Sequence, residues 1–357
     1  MASLAEDLRR FSGRNVLITG HTGFKGSWLS LLLAQAGARV TGIALPPEST
    51  PSHFTLLNLD KNIESRICDI RNLEGLSAEF RRCKPDIVFH LAAQAFVRRS
   101  YLDPHTTFST NVFGSANVLE CVTQTDTVRT LVFVTSDKCY KNKEQRHGYV
   151  ETDELGGTDP YSLSKAGAEM VFAGYVAATF HKPGSALVAS ARAGNVIGGG
   201  DWSPDRLIPD CIRSLERNDN IEIRHPRATR PWQHVLEPLS GYVRLAVALE
   251  DKSAPTGSSW NFGPPETAVH EVHEVANRVA QSWGRPEAVR VGHDTSTMHE
   301  SQLLQLNSKK AHDALSWSTR WDFNDTMDRT TNWYRSLRDG AKADDLTRAD
   351  IKAYLDR

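Results

Sequence analysis

A chain of 357 residues that is 39% apolar and 24% charged, with a net charge of −1, has room for one large globular domain or two modest ones. It has no long basic block and no apolar run approaching the ~18 residues of a membrane span, which argues against nucleic acid or a membrane as the main partner. Cys68, Cys83, Cys121, Cys139 and Cys211 are scattered, odd in number and form no C-x-x-C. They predict reduced thiols in a cytoplasmic protein without disulfides or a structural metal, and the charged N-terminus MASLAEDLRRFSG does not read as a signal peptide.

Residues 15–19 (NVLIT) are a short apolar run, the pattern of a strand buried on both faces. The run enters Gly20-His21-Thr22-Gly23-Phe24-Lys25-Gly26. Phe24, Trp28, Leu31 and Leu32 then recur at helical spacing as far as Gly37. Strand, glycine turn and helix form the phosphate-binding unit of a doubly wound fold: glycines admit a pyrophosphate, and the helix N-terminus offers free N–H groups. The spacing is G-x-x-G-x-x-G, not G-x-G-x-x-G. The second strand (38–45) ends in Leu45-Pro46-Pro47 with Glu48 late, so the acidic residue that usually holds a ribose 2′-hydroxyl is missing. His21 and Lys25 lie in the turn where a 2′-phosphate would sit, which leaves NAD and NADP both open. A third strand (63–70) ends at Asp69, expected as an adenine-side contact, as the N-cap of the next helix, or as both. A fourth (85–93) ends in small residues suited to a flat cofactor, and a helical pattern with Thr107, Asn111, Gly114, Asn117 and Val118 follows. The fifth (130–137) ends in Ser136 and Asp137, with Lys138 next, and ligands of such sheets bind beyond the carboxyl ends of the strands.

Residues 139–160 form a polar loop leading to a helix opened by Pro160. On that helix Tyr161 and Lys165 share a face. An ammonium beside a phenol favours the phenolate, so the tyrosine pKa is expected to fall from about 10 toward neutrality, giving a usable general base. A lone Tyr-x-x-x-Lys is common by chance, so context must carry the assignment. With a sixth strand (185–198), the alternation predicts an α/β fold: a doubly wound, Rossmann-like parallel sheet over 13–198. Residues 199–335 are expected to form mainly a smaller α/β substrate domain, with segments at about 230–265 returning to the sheet. Residues 336–357 are charged and expected to be a peripheral tail. Trp202 and Trp232 are expected to fill the interdomain core.

The glycine turn, Leu91-Ala92-Ala93-Gln94, Asn111, Ser136 and Tyr161-x-x-x-Lys165 together resemble the extended short-chain dehydrogenase/reductase superfamily over roughly residues 13–335. Within it, HTGFKGSWL (21–29), TSDKCY (135–140), DPYSLSKAGAE (159–169), RAGNVIGGGDW (192–202), DRLIPD (205–210) and RPWQHVLEPLSGY (230–242) are similar to the CDP-glucose 4,6-dehydratase family. The resemblance implies a recycled NAD, a nucleotide-sugar substrate, and a homodimer built on helices starting near Pro104 and Pro160. It implies cofactor contacts from Gly20, Gly23, Phe24, Lys25, Gly26, Asp69, Ile70, Leu91, Ala92, Ala93, Gln94, Asn111, Tyr161 and Lys165. Substrate contacts would come from Asn195, Arg206, Leu207, Ile208, Arg230 and His299, with Glu300 near the closing domain.

In such enzymes the sugar is oxidised at C4, loses water across C5 and C6, and regains hydride at C6. The resemblance gives Tyr161 the C4 hydroxyl proton, Lys165 the support of that tyrosine, Ser136 a hydrogen bond to the same hydroxyl, and Asp137 the proton for the departing C6 hydroxyl. Related dTDP-glucose dehydratases carry glutamate where Lys138 stands, so Lys138 acts as the C5 base only if it is neutral, far below its usual ~10.4. A dehydratase of another NDP-hexose and a nucleotide-sugar C4 epimerase are the nearest rivals, and Asp137-Lys138 is the feature that an epimerase does not need. A non-catalytic dinucleotide-binding regulator is the rival of another class, and it would typically lack Tyr161 or Lys165.

Overall fold

A computed structural model of the chain describes residues 3–145, 147–265, 268–292 and 303–357. At its centre lies a seven-stranded parallel sheet. Its strands are β1 (Asn15–Thr19), β2 (Arg39–Ala44), β3 (Glu64–Ile67), β4 (Ile87–His90), β5 (Thr130–Val134), β6 (Leu187–Ala193) and an edge strand, Ser258–Phe262. The spatial order is Ser258–Phe262, β6, β5, β4, β1, β2, β3. The direction of winding reverses between β1 and β4, and a crevice opens at such a switch point. Register sets Thr19 beside Ile43 and His90, so the carboxyl ends of β1, β2 and β4 form one edge.

Both faces of the sheet are covered, which explains why the strands read as continuous apolar runs. Val16, Ile18, Ile87, Phe89 and Val132 point into one core with helices Phe24–Gln35 and Leu236–Glu250. Leu17, Val88, Leu131, Phe133 and Val188 point into the other, with helices Leu73–Cys83, Ser115–Thr123 and Pro160–Tyr175. The doubly wound α/β fold expected from the alternation is therefore present.

Several local details differ from expectation. Helix Leu73–Cys83 is capped by Asn72, whose side chain accepts from Gly75 N at 3.0 Å, while Asp69 accepts from Arg71 instead. The pattern around Asn111 is a chain of pieces, Val97–Leu102, Pro104–Phe108, a π-turn at Ser109–Gly114 and Ser115–Thr123. The sixth strand stops at Ala193, and Val196–Ile197 pairs separately with Gln233–His234. Over the carboxyl edge sit helix Leu207–Glu216 and two small pairings, Ile221–Ile223 with Val289–Val291 and Thr229–Pro231 with Val269–Glu271.

The largest difference is at the C-terminus. Residues 336–357 are not peripheral: Ala343–Leu355 is a helix whose Thr347, Ile351 and Tyr354 are buried. Thr347 Oγ1 meets His53 Nε2 at 3.0 Å and accepts from Trp333 Nε1 at 3.2 Å. Tyr354 OH donates to Glu237 Oε2 at 2.6 Å. Of the charged residues that made the segment look like a tail, Asp345, Lys352, Asp356 and Arg357 are exposed, while Asp350 is buried and accepts from Arg329. Among the described residues no helix is long and apolar enough to cross a membrane. Removing a buried aromatic side chain costs about 3–5 kcal/mol. Tyr354→Ala should therefore lower the unfolding free energy obtained from urea titration by that amount, whereas a solvent-exposed tail position would leave it unchanged.

Candidate active site

The site grows from the turn after β1. Gly20 has φ +83°, and a Cβ there would stand 2.8 Å from Ala92 N, so the turn and the end of β4 meet only through a glycine. A Cβ on Gly26 would lie 2.1 Å from Gly20 O, which seats helix Phe24–Gln35 directly on the strand. Gly23 is the N-cap of that helix and supplies no side-chain cap, so its first N–H groups face the cavity. A glycine-lined cradle with an uncapped helix N-terminus fits the pyrophosphate of a dinucleotide. Asp69, Ile70, Leu91, Ala92 and Ala93 continue the same wall.

The cavity, of about 640 Å³, runs from this turn to the segments beyond β6. Ser136, Asp137, Lys138, Tyr161 and Lys165 all line it. Tyr161 and Lys165 are delivered by helix Pro160–Tyr175, with Pro160 in its first turn and Asp159 as N-cap, accepting from Ser162 N at 2.9 Å. Lys165 Nζ stands 6.0 Å from the centroid of the Tyr161 ring. Ser136 Oγ donates to Asp137 Oδ1 at 2.9 Å. A Cβ on Gly194 would meet Asp137 Oδ2 at 2.9 Å, so a glycine is needed to leave that carboxyl its space.

Burial controls the protonation of these groups. It pushes the Tyr161 phenol up to about 12, with Ser136 and Arg206 acting against the rise and Asp137 adding to it. The expected fall toward neutrality is thus not found: desolvation is the largest cause and it raises the phenol. Burial lowers Lys165 to about 8, opposed by Cys139 and Glu169. It also lowers Lys25 to about 8, helped by Arg206 and Lys165. Asp137 is raised by burial, against the pull of Lys138, Ser136, Lys25 and Arg230. A carboxyl whose pKa is raised keeps its proton to higher pH and is better placed to donate it.

Not every expected cofactor contact reaches the cavity. Gln94 and Asn111 are buried behind it and bind each other: Gln94 N donates to Asn111 Oδ1 at 2.8 Å, and Asn111 Nδ2 to Gln94 O at 3.0 Å. Asn111 Nδ2 also donates to Ser164 Oγ at 2.8 Å, and Ser164 Oγ to Tyr161 O at 2.7 Å, so these residues brace the catalytic helix. His21 faces inward as well: its Nε2 meets Ser65 Oγ at 2.7 Å, and burial lowers its pKa to about 4. It therefore offers no cation to a 2′-phosphate. Lys25 points toward Asp137, Lys165 and Arg206, not toward β2.

On the substrate side, Asn195, Arg206, Leu207, Ile208 and Arg230 all line the cavity. Arg206 is the N-cap of helix Leu207–Glu216 and supplies no side-chain cap, leaving the N–H groups of that helix directed at the same space. His299 and Glu300 lie outside the described residues. Trp232 is buried at the cavity wall, and Trp202 packs edge-on against Tyr334 at 5.6 Å, both as parts of the core. Sequence reasoning gave no part to Gly194, Phe96, Arg98, Glu169 or Arg192. Glu169 ends the run DPYSLSKAGAE, eight residues after Tyr161, and that helical spacing was the available signal.

A family model described as GDP-mannose 4,6 dehydratase matches residues 17–330. A CDP-glucose 4,6-dehydratase of Salmonella typhimurium is 43% identical over 354 residues, which is 98% of each chain. Among solved structures, a dTDP-glucose 4,6-dehydratase of Streptomyces venezuelae with NAD bound has a TM-score of 0.77 at 25% identity, covering 91% of this chain and 98% of that one. An epimerase of Methanothermobacter thermautotrophicus has a TM-score of 0.80 at 23% identity over 97% of both chains, a likeness of fold alone. The family match across most of the chain and the end-to-end identity show that this chain belongs to the GDP-mannose 4,6 dehydratase family.

Proposed function

We propose that the chain is a nucleotide-sugar 4,6-dehydratase that converts CDP-glucose to CDP-4-keto-6-deoxyglucose with NAD as a recycled cofactor. The observation that carries this reading is Asp137, a buried carboxyl with a raised pKa in the same cavity as Tyr161 and Lys165. The 43% identity to a CDP-glucose 4,6-dehydratase supports the choice of substrate. NAD is preferred to NADP because Ala44, Leu45 and Pro46 line the end of β2, while His21 and Lys25 face elsewhere.

Gly20, Gly23, Gly26 and the helix N-terminus hold the cofactor pyrophosphate, and Asp69 and Ile70 border the adenine end. NAD, when bound, would supply the hydride acceptor for C4 and, reduced, the hydride returned to C6. Tyr161 takes the C4 hydroxyl proton, and Lys165 supports the phenolate against the desolvation that pushes the phenol up to about 12. Ser136 hydrogen-bonds the same hydroxyl. The resulting C4 ketone acidifies C5–H. Lys138 in its neutral form takes the C5 proton, and Asp137 protonates the C6 hydroxyl, which leaves as water. Arg206, Arg230 and Asn195, with the N–H groups of Leu207 and Ile208, hold the nucleotide diphosphate, since a guanidinium bonds two phosphate oxygens at once.

The exposed apolar residues of the two helical runs support a homodimer. Phe113, Leu163 and Met170 are each more than 40% exposed, and Leu163 and Met170 lie seven residues apart on one helix face. A reducing compartment such as the cytoplasm suits the five free thiols.

Purified protein given CDP-glucose and NAD should form a 4-keto-6-deoxy sugar. Turnover of UDP-glucose to UDP-galactose without a keto sugar would overturn the reading in favour of an epimerase. Asp137→Asn should keep C4 oxidation and slow elimination by about 10²-fold or more, visible as accumulated reduced nicotinamide. In the wild type the elimination step should show a descending limb as pH rises, because the donor must be protonated, and the raised pKa of Asp137 moves that limb to higher pH than an unperturbed carboxyl would give. Met170→Lys should shift sedimentation from dimer to monomer with little loss of thermal stability.

A further inference from the structure

One buried cluster takes no part in the chemistry above. Glu169 lies one helical turn beyond Lys165, and both it and Arg192 on β6 are almost wholly buried. Arg192 Nε donates to Glu169 Oε1 at 3.0 Å and Nη2 to Oε2 at 2.8 Å, a two-point pair. The other guanidinium N–H groups reach Tyr140 OH (2.7 Å), Glu151 O (3.1 Å) and Ser259 Oγ (3.1 Å). Glu169 also accepts from Thr135 Oγ1 and, at 2.9 Å, from Ser190 Oγ. Thr135 directly precedes Ser136 and Asp137. A single carboxylate therefore joins the catalytic helix, the catalytic loop after β5, and β6.

The pair also has a direction. Its carboxylate end is on the Lys165 face of the helix, and its guanidinium end is turned toward Tyr140 and Ser259. The other groups around Lys165 are Cys139 from the loop, Lys25 from the glycine-turn helix, His90 at the end of β4 and Tyr161 on its own helix. Burial keeps His90 neutral and raises the Cys139 thiol well above its usual value, so Glu169 is the anion of this group. Burial lowers Lys165 to about 8, and Glu169 acts to raise it.

We propose that Glu169 is a positioning residue for the hydride-transfer step: it locks the helix of Tyr161 and Lys165 to the loop of Ser136 and Asp137, and turns the negative end of its ion pair toward Lys165, keeping that lysine charged beside the phenol. The proposal deepens the dehydratase reading and rests on it for the identity of the reaction. Lys165 itself can be followed without any substrate.

Competitive acetylation of Lys165 across pH, read by peptide mass, gives its titration midpoint. In Glu169→Gln that midpoint should fall by about one pH unit. Single-turnover reduction of NAD by CDP-glucose should then be about fivefold slower at pH ~8, and the defect should close toward pH ~6, where Lys165 is charged in both proteins. Glu169→Asp keeps the charge and should keep the wild-type midpoint, while losing stability because the shorter side chain cannot span both bonds to Arg192. An unchanged midpoint in Glu169→Gln, or a rate loss equal at every pH, would overturn the proposal. If Glu169→Gln fails to fold, the double variant Glu169→Gln/Arg192→Met removes the unpaired guanidinium, and its Lys165 midpoint decides the matter in the same way. A wild type that forms no keto sugar sinks the dehydratase reading and leaves the Lys165 measurement standing.

Discussion

Desolvation is the constraint on which the site depends. The cavity at the carboxyl edge of the sheet is closed enough that burial, more than any single charge partner, sets the protonation of its lining. One physical cause moves Tyr161 and Asp137 up and Lys165 and Lys25 down. Each shift favours the neutral form. An acid that keeps its proton to higher pH and lysines that release theirs at lower pH both follow from the same dry wall.

The same low dielectric makes the Glu169–Arg192 pair a costly element. Replacing a buried ion pair by apolar residues is often neutral or stabilising by about 1–4 kcal/mol, whereas breaking one partner costs about 3–5 kcal/mol. Net stability is thus a weak reason for its presence. Its geometry offers a better one. It closes a hydrogen-bonded ring through Ser190 and Ser259, with Thr135 and Tyr140 bonded to its two ends, so helix Pro160–Tyr175 is registered against β5 and β6 by bonds with fixed directions as well as by apolar contact. Gln94, Asn111 and Ser164 brace the same helix from its other side.

Far from the catalytic groups, the C-terminal helix closes the structure around the glycine-turn helix. His53 is the joint: it bonds Ser27 at 2.8 Å and Thr347 at 3.0 Å, and stacks on Trp28 at 5.1 Å. A Cβ on Gly200 would strike the His53 ring at 2.2 Å, so the loop after β6 is pressed onto the same point. Three distant stretches of chain thus meet beside the cofactor cradle.

The sequence alone was enough for the parts governed by local rules. Continuous apolar runs meant strands covered on both faces, glycines at three-residue spacing meant a phosphate turn, and Pro160 meant a helix start that sets Tyr161 and Lys165 on one face. The cavity then gathered Ser136, Asp137, Tyr161, Lys165, Asn195, Arg206 and Arg230 as expected. Tertiary structure alone decided the rest. It turned His21 inward against Ser65, withdrew Gln94 and Asn111 from the cavity, buried the charged C-terminal segment, and raised the Tyr161 phenol where a neighbouring lysine had suggested the opposite. The physical reason is common to all four. Spacing along a chain determines which side chains share a face, but burial and direction depend on what packs over that face, and electrostatic effects follow burial.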